Sequence, residues 1–140
     1  GPLAGGRLMV LGGPGGDALA RSLKDSAGRR FINLAGKVDL LTAFACLKRA
    51  RLFIGNDSGA MHLAAASGTP TIGLFGPSDE RLYAPWGEYT RVVRGPRSFE
   101  QIQAVDPGFS QALCHMMDLP VKTVVAAANE LVKATEAKHA

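Results

Sequence analysis

The sequence predicts an α/β domain built on a parallel sheet with helices on both faces, and three observations carry that expectation. Strand and helix signals alternate along the chain, which is the order a parallel sheet requires. Leu52 to Ile54 and Thr71 to Phe75 are short apolar runs that read as buried parallel strands. The polar, glycine-rich turns fall after strands, at the sheet edge where open α/β folds bind their ligands. With 140 residues, 46% of them hydrophobic, the chain has enough apolar material for one sizeable core and a single domain over residues 1–140.

The elements follow in order. Leu8 to Leu11 reads as a strand, Asp17 to Ala27 as a helix and Phe31 to Leu34 as a second strand. Leu40 to Ala50 is a helix capped by Asp39, with Leu40, Leu41, Phe44, Cys46 and Leu47 as its core-directed face. The third strand, Leu52 to Ile54, ends at Gly55; Ala60 to Ser67 is helical and Gly68 is its terminal glycine. Thr71 to Phe75 and Thr90 to Val93 are further strands. Residues 94–119 carry the breakers Gly95-Pro96 and Asp106-Pro107-Gly108, with a short capped turn at Ser98 to Gln103. A long helix starts near Pro120 and runs through Val121, Val124, Val125, Ala128, Leu131 and Val132, its polar tail Lys133 to Ala140 fraying.

Composition excludes several classes. A net charge of +4 suits a phosphate-bearing ligand, but Arg91, Arg94 and Arg97 read as solvated surface and no interleaved aromatics mark a nucleic-acid groove. Cys46 and Cys114 are isolated, giving neither a metal spacing nor a disulfide framework, which fits a reducing cytoplasm. No apolar run approaches the about eighteen residues of a membrane span. Gly1-Pro2 resembles a protease-cleavage remnant, so the chain reads as a piece of something longer.

Three turns hold the candidate chemistry. Gly12-Gly-Pro-Gly-Gly-Asp-Ala18 matches G-x-G-x-x-A at Gly13, Gly15 and Ala18, and reads as a tight turn, a glycine-lined ligand wall or a dinucleotide site. The last of these wants an acid at the end of the second strand, where Asn33-Leu34-Ala35 stands instead. Asn56-Asp57-Ser58-Gly59 lies between a strand and a helix start, where unpaired N–H groups and the helix dipole favour an anion such as phosphate. There Asp57 reads as a cap and Ser58 as a hydroxyl donor to phosphate, although capping alone would explain either residue; Gly59 is a point of close approach, and His62, one turn on, a packing residue or a ligand. Phe75-Gly-Pro-Ser-Asp-Glu80 ends the next strand, so Gly76 and Ser78, with Pro85-Trp86-Gly87, form a neighbouring wall.

The run N-D-S-G-A-M-H-L-A-A-A-S-G-T-P-T-I-G-L-F-G-P-S-D from Asn56, followed by A-P-W-G, resembles the carboxyl-terminal domain of glycosyltransferase family 9, the lipopolysaccharide heptosyltransferases. G-G-P-G-G-D-A, N-L-A-G-K-V-D-L and C-H-M-M-D-L-P-V-K-T-V fall in similar order, so the resemblance covers nearly the whole chain. It implies a Rossmann-like three-layer α/β/α domain, the carboxyl-terminal half of a GT-B fold, that binds the ADP-heptose donor without a metal or other cofactor. Asp57, Ser58, Gly59 and His62 would then line the diphosphate and sugar, with Asp57 near the sugar. Val38 would sit by the adenine, and Asp17 would stand where the family usually places a Glu against the ribose. Ser58 replaces the common Thr and keeps its hydroxyl. The resemblance implies no catalytic residue in this domain: the base and the lipopolysaccharide acceptor site belong to the amino-terminal domain, at the cytoplasmic face of the bacterial inner membrane. Two other readings stand beside it, a nucleotide-binding module without transferase activity and an NAD-dependent oxidoreductase.

Overall fold

The computed structural model describes residues 5–111 and 113–139; Gly1-Pro2, which the sequence suggested as a cleavage remnant, and Ala140 lie outside them. The alternation of the sequence is realised as β1 (Leu8–Val10), α1 (Asp17–Ala27), β2 (Phe31–Asn33), α2 (Leu40–Lys48), β3 (Phe53–Asn56), α3 (Gly59–Ala66), β4 (Thr71–Phe75), α4 (Glu80–Tyr83), β5 (Thr90–Arg94), α5 (Phe99–Val105) and α6 (Val121–His139). All strand pairs are parallel. Their ladders fall into two sets among the described residues, β1-β2 and β3-β4-β5, where the sequence suggested one sheet.

Strand β4 is central. Thr71, Ile72, Gly73 and Phe75 are buried on both faces, as expected for a strand covered by helices. Its alternation assigns the faces. Ile72 packs with Val93 of β5 and with Ala128 and Leu131 of α6, and Leu74, Leu52 and Val124 close round that cluster. On the other side a Cβ at Gly73 would come within 2.7 Å of the Met61 Sδ of α3, so the glycine lets that helix lie close on the sheet. Full burial of a side chain such as Leu131 or Ile72 contributes about 1.5–3 kcal/mol.

Capping fixes the helix starts. Asp39 accepts from the Thr42 N–H at 2.7 Å, as its position predicted. Ser98 and Gln101 form a complete capping box, which extends the expected short turn into α5. Gly68, at φ +81°, follows α3 in the left-handed conformation expected of a terminal glycine, and Thr69 then ties the turn to α2 by donating to the Leu47 carbonyl at 2.6 Å.

Several boundaries and faces differ from expectation. Strand β3 runs through Gly55 to Asn56, because Gly55 pairs with Gly73 and leaves room for the Phe53 ring lying over it. Leu40 and Leu41 are exposed rather than core-directed. Helix α2 buries only Leu47, in its last turn, and its first turn projects away from the core. The polar tail does not fray within the described residues, since α6 continues to His139. Helix α4, unanticipated, starts where Asp79 accepts from the Arg81 N–H.

Candidate functional site

The candidate residues gather in three clusters, each beyond the carboxyl end of a strand. The first lies between β1, α1 and β2. Gly36, at φ +67°, brings the chain back against Pro14: a Cβ there would lie 2.8 Å from the Pro14 Cα, so this turn needs glycine for both conformation and space. The resulting open groove of about 660 Å³ is lined by Asp17, Arg21, Lys24, Asn33 and Lys37, with Pro14 and Gly36 at its wall. Asp17 accepts from Asn33 Nδ2 at 2.7 Å and pairs with Arg21 one turn along α1. These hydrogen bonds, Arg21 first and Asn33 second, hold its carboxyl below the usual range. Val38, half-buried, follows the groove's last lining residue, Lys37.

The acid that the sequence lacks at the end of β2 is therefore present in space. Helix α1 delivers the Asp17 carboxylate to the strand-end residue Asn33, so the missing strand acid does not argue against a ribose at this edge. Sequence reasoning missed Asn33, Arg21 and Lys37. Only the i, i+4 spacing of Asp17 and Arg21 was readable beforehand.

The second cluster is the start of α3. The cap is Ser58 rather than Asp57: Ser58 is extended, at φ −160°, and its Oγ accepts from the Met61 N–H at 3.4 Å. The physical reason is that α3 begins at Gly59, one residue earlier than expected, which shifts the cap by one. Asp57 is thereby left to face His62, whose Nε2 stands 3.7 Å from Asp57 Oδ1. His62 is half exposed, which removes the reading of it as a packing residue. The N–H groups of Gly59 and Ala60 have no acceptor within the helix. A Cβ at Gly59 would meet nothing within 4 Å, and the same holds for Gly13. Neither glycine is demanded by packing inside the chain.

The third cluster follows β4. Gly76 is buried, with the His115 carbonyl 3.0 Å from where its Cβ would stand. Arg94 donates to the Gly76 carbonyl at 2.6 Å and to the Ser78 carbonyl, and pairs with Glu80 at 2.7 Å. Its side chain is only 12% exposed, so Arg94 is a half-buried clamp rather than the solvated surface residue expected from the sequence. Arg97 likewise pairs with Asp118 at 2.6 Å, and Arg91 donates to the Thr90 carbonyl. Gly76 and Ser78 thus present a rigid turn, while Trp86 beyond it is exposed. Among the described residues no group of three or more His, Cys, Asp or Glu side chains is arranged to hold a metal ion.

Fold and clusters together define a Rossmann-like α/β/α domain with its polar turns beyond the carboxyl ends of parallel strands. Residues 4–106 match the model of glycosyltransferase family 9 (heptosyltransferase), and the chain belongs to that family. It is 32% identical over 107 residues to lipopolysaccharide heptosyltransferase 2 of Escherichia coli K12, a match covering 75% of this chain and 30% of the relative. It is 39% identical over 85 residues to an Escherichia coli lipopolysaccharide heptosyltransferase 3, covering 59% and 25%. Among solved structures it resembles a glycosyltransferase family 9 protein of Veillonella parvula, with TM-score 0.79 and 25% identity over 95% of this chain and 38% of that one. An Escherichia coli heptosyltransferase solved with ADP shares the fold, with TM-score 0.70 at 23% identity over 89% of this chain and 34% of that one. These neighbours have the GT-B fold. The chain spans less than a third of the length of these curated relatives.

Proposed function

We propose that this chain is the donor-binding, carboxyl-terminal domain of a glycosyltransferase that moves heptose from ADP-heptose to the lipopolysaccharide inner core. One observation carries the reading. At the start of α3, Ser58 caps the helix and Gly59 leaves its backbone open, beside Asp57 and His62. A diphosphate seated there would meet the unpaired N–H groups, the positive helix end and the Ser58 hydroxyl proton. As the glycosidic bond to the donor phosphate breaks, negative charge grows on the leaving oxygen, and donors already aimed at that point stabilise it without a metal. Asp57, freed from capping, is positioned to accept from a sugar hydroxyl.

In this reading Asp17 holds the ribose and the backbone near Val38 the adenine. Gly13, Gly76 and Ser78 form the walls. The catalytic base and the acceptor site lie in the amino-terminal domain of the parent, which works at the cytoplasmic face of the inner membrane. Peripheral association with the inner membrane belongs, in this reading, to the parent; among the described residues no helix is long and apolar enough to cross a membrane.

Calorimetric titration with ADP and UDP tests the proposal. The expected result is saturable ADP binding, weaker UDP binding, and a loss of about tenfold in Ser58→Ala, the size of one hydrogen bond to a charged group. Equal binding of UDP would discard the adenine assignment. ADP binding that ignores both Ser58→Ala and Asp57→Ala would discard the phosphate site. Heptose transfer by the parent protein, abolished when its remaining domain is removed, separates a transferase from a nucleotide-binding module.

A further inference from the structure

We infer that Asn33 is a positioning residue for the ribose: it fixes the Asp17 carboxylate so that its free lone pairs meet a vicinal diol and discriminate ribose from deoxyribose. The inference rests on the proposed nucleotide reading of the groove and adds to it a residue and a specificity.

The geometry runs as a relay from backbone to carboxylate. The Ala35 N–H donates to Asn33 Oδ1 at 3.0 Å, which settles which end of the amide is oxygen. Asn33 Nδ2 must then point the other way, and it donates to Asp17 Oδ1 at 2.7 Å. The backbone partner is itself anchored: Ala35 is buried, and the neighbouring Gly36 N–H donates to the Gly12 carbonyl at 2.8 Å. Arg21, bound to the other carboxylate oxygen, offers no comparable anchor. Its side chain is 74% exposed, where an ion pair constrains little.

Each carboxylate oxygen accepts about two hydrogen bonds. Asn33 occupies one position on Oδ1 and Arg21 one on Oδ2, leaving one on each oxygen, and the carboxylate remains 27% exposed in the groove wall. Two acceptors a carboxylate's width apart match two adjacent hydroxyls. A short Asp on α1 reaches this point because Asn33 meets it from β2. An acid at position 33 would set one carboxylate against another, so the amide is the residue type that holds the arrangement together.

The test compares ADP with 2′-deoxy-ADP by calorimetry on this chain. Wild type is expected to prefer ADP by about tenfold, the worth of one hydrogen bond to a charged group. Asn33→Asp keeps an acceptor for the Ala35 N–H, removes the donor to Asp17 and adds a negative charge that weakens both nucleotides; ADP is expected to weaken more than 2′-deoxy-ADP, cutting the preference to about threefold or less. Asp17→Asn is expected to remove the preference, and adding Asn33→Ala to it to change nothing further. If Asn33→Asp weakens both nucleotides equally, Asn33 only supports the turn and the inference fails while the functional reading survives. The inference also fails if ADP binds without any preference over its deoxy analogue. Absence of ADP binding by the wild-type chain at millimolar concentration overturns the functional reading and this inference with it.

Discussion

The β1-α1-β2 region and the β3-β4-β5 sheet use the same crossover unit but are held together differently. In β4 four of five residues are buried, and Ile72, Val93, Ala128 and Leu131 make a dry cluster against α6. In the first region no residue of β1 or β2 is fully buried, and among the described residues of α1 only Ala20 is. What joins α1 to β2 there is a polar relay through Asp17 and Asn33, beside the groove. Apolar burial provides stability without direction, whereas hydrogen bonds provide direction at a modest net gain. The molecule thus keeps its stable core in one half and a geometrically specified polar edge in the other.

Leu131→Ala should lower unfolding free energy by about 3 kcal/mol, because the fully buried site cannot collapse around the lost side chain. Leu23→Ala, on partly exposed α1, should cost under about 1 kcal/mol; comparable losses in a urea titration would erase the contrast. Next, Arg94→Ala should cost about 2 kcal/mol, since it strips the Gly76 and Ser78 carbonyls of their donor and leaves Glu80 unpaired. Loss of nucleotide affinity without loss of stability in this variant would mean that the third cluster is not a structural clamp.

A smaller effect concerns acid. Asp106 is buried and pairs with His115 at 2.9 Å, and that hydrogen bond holds its carboxyl below the ordinary 3.8. A carboxyl depressed in the folded state adds stability above its unfolded value and loses it as pH falls through the folded one. Asp106→Asn should therefore flatten the decline of stability below about pH 4 relative to wild type, read as urea midpoints across that range. An unchanged slope would show that other carboxylates govern acid unfolding. The smallest change in stability is expected for Gly13→Ala, within about 0.5 kcal/mol, because its Cβ enters open space at an ordinary φ of −72°. Weakened ADP binding in that same variant would mark the glycine as a ligand wall; unaltered binding would leave it a turn residue.

Much of the fold was legible because it is written locally. The apolar run Thr71 to Phe75, the Asp39 cap and the Gly68 terminator each specify structure through residues a few positions apart. The start of α3 was legible to within one residue, and that residue decided which side chain caps and which is free. Arg94 was misread because a basic residue near a strand end carries no local sign of the two carbonyls and the carboxylate it meets across the β4 turn.

By itself the sequence determined the βα alternation, the parallel sense of the strands, the strand-turn-helix unit around Ser58 and Gly59, and the family to which that motif belongs. Periodicity, capping and glycine placement are short-range properties, so they survive in a linear reading. Only the tertiary structure decided that Asp17 meets Asn33 sixteen residues away, that His115 closes on Asp106, and that Arg94 clamps the turn after β4. The first of those pairings depends on a parallel crossover that brings the start of α1 to the end of β2. The distance between two polar side chains is then set by helix and strand packing and has no counterpart in their spacing along the chain.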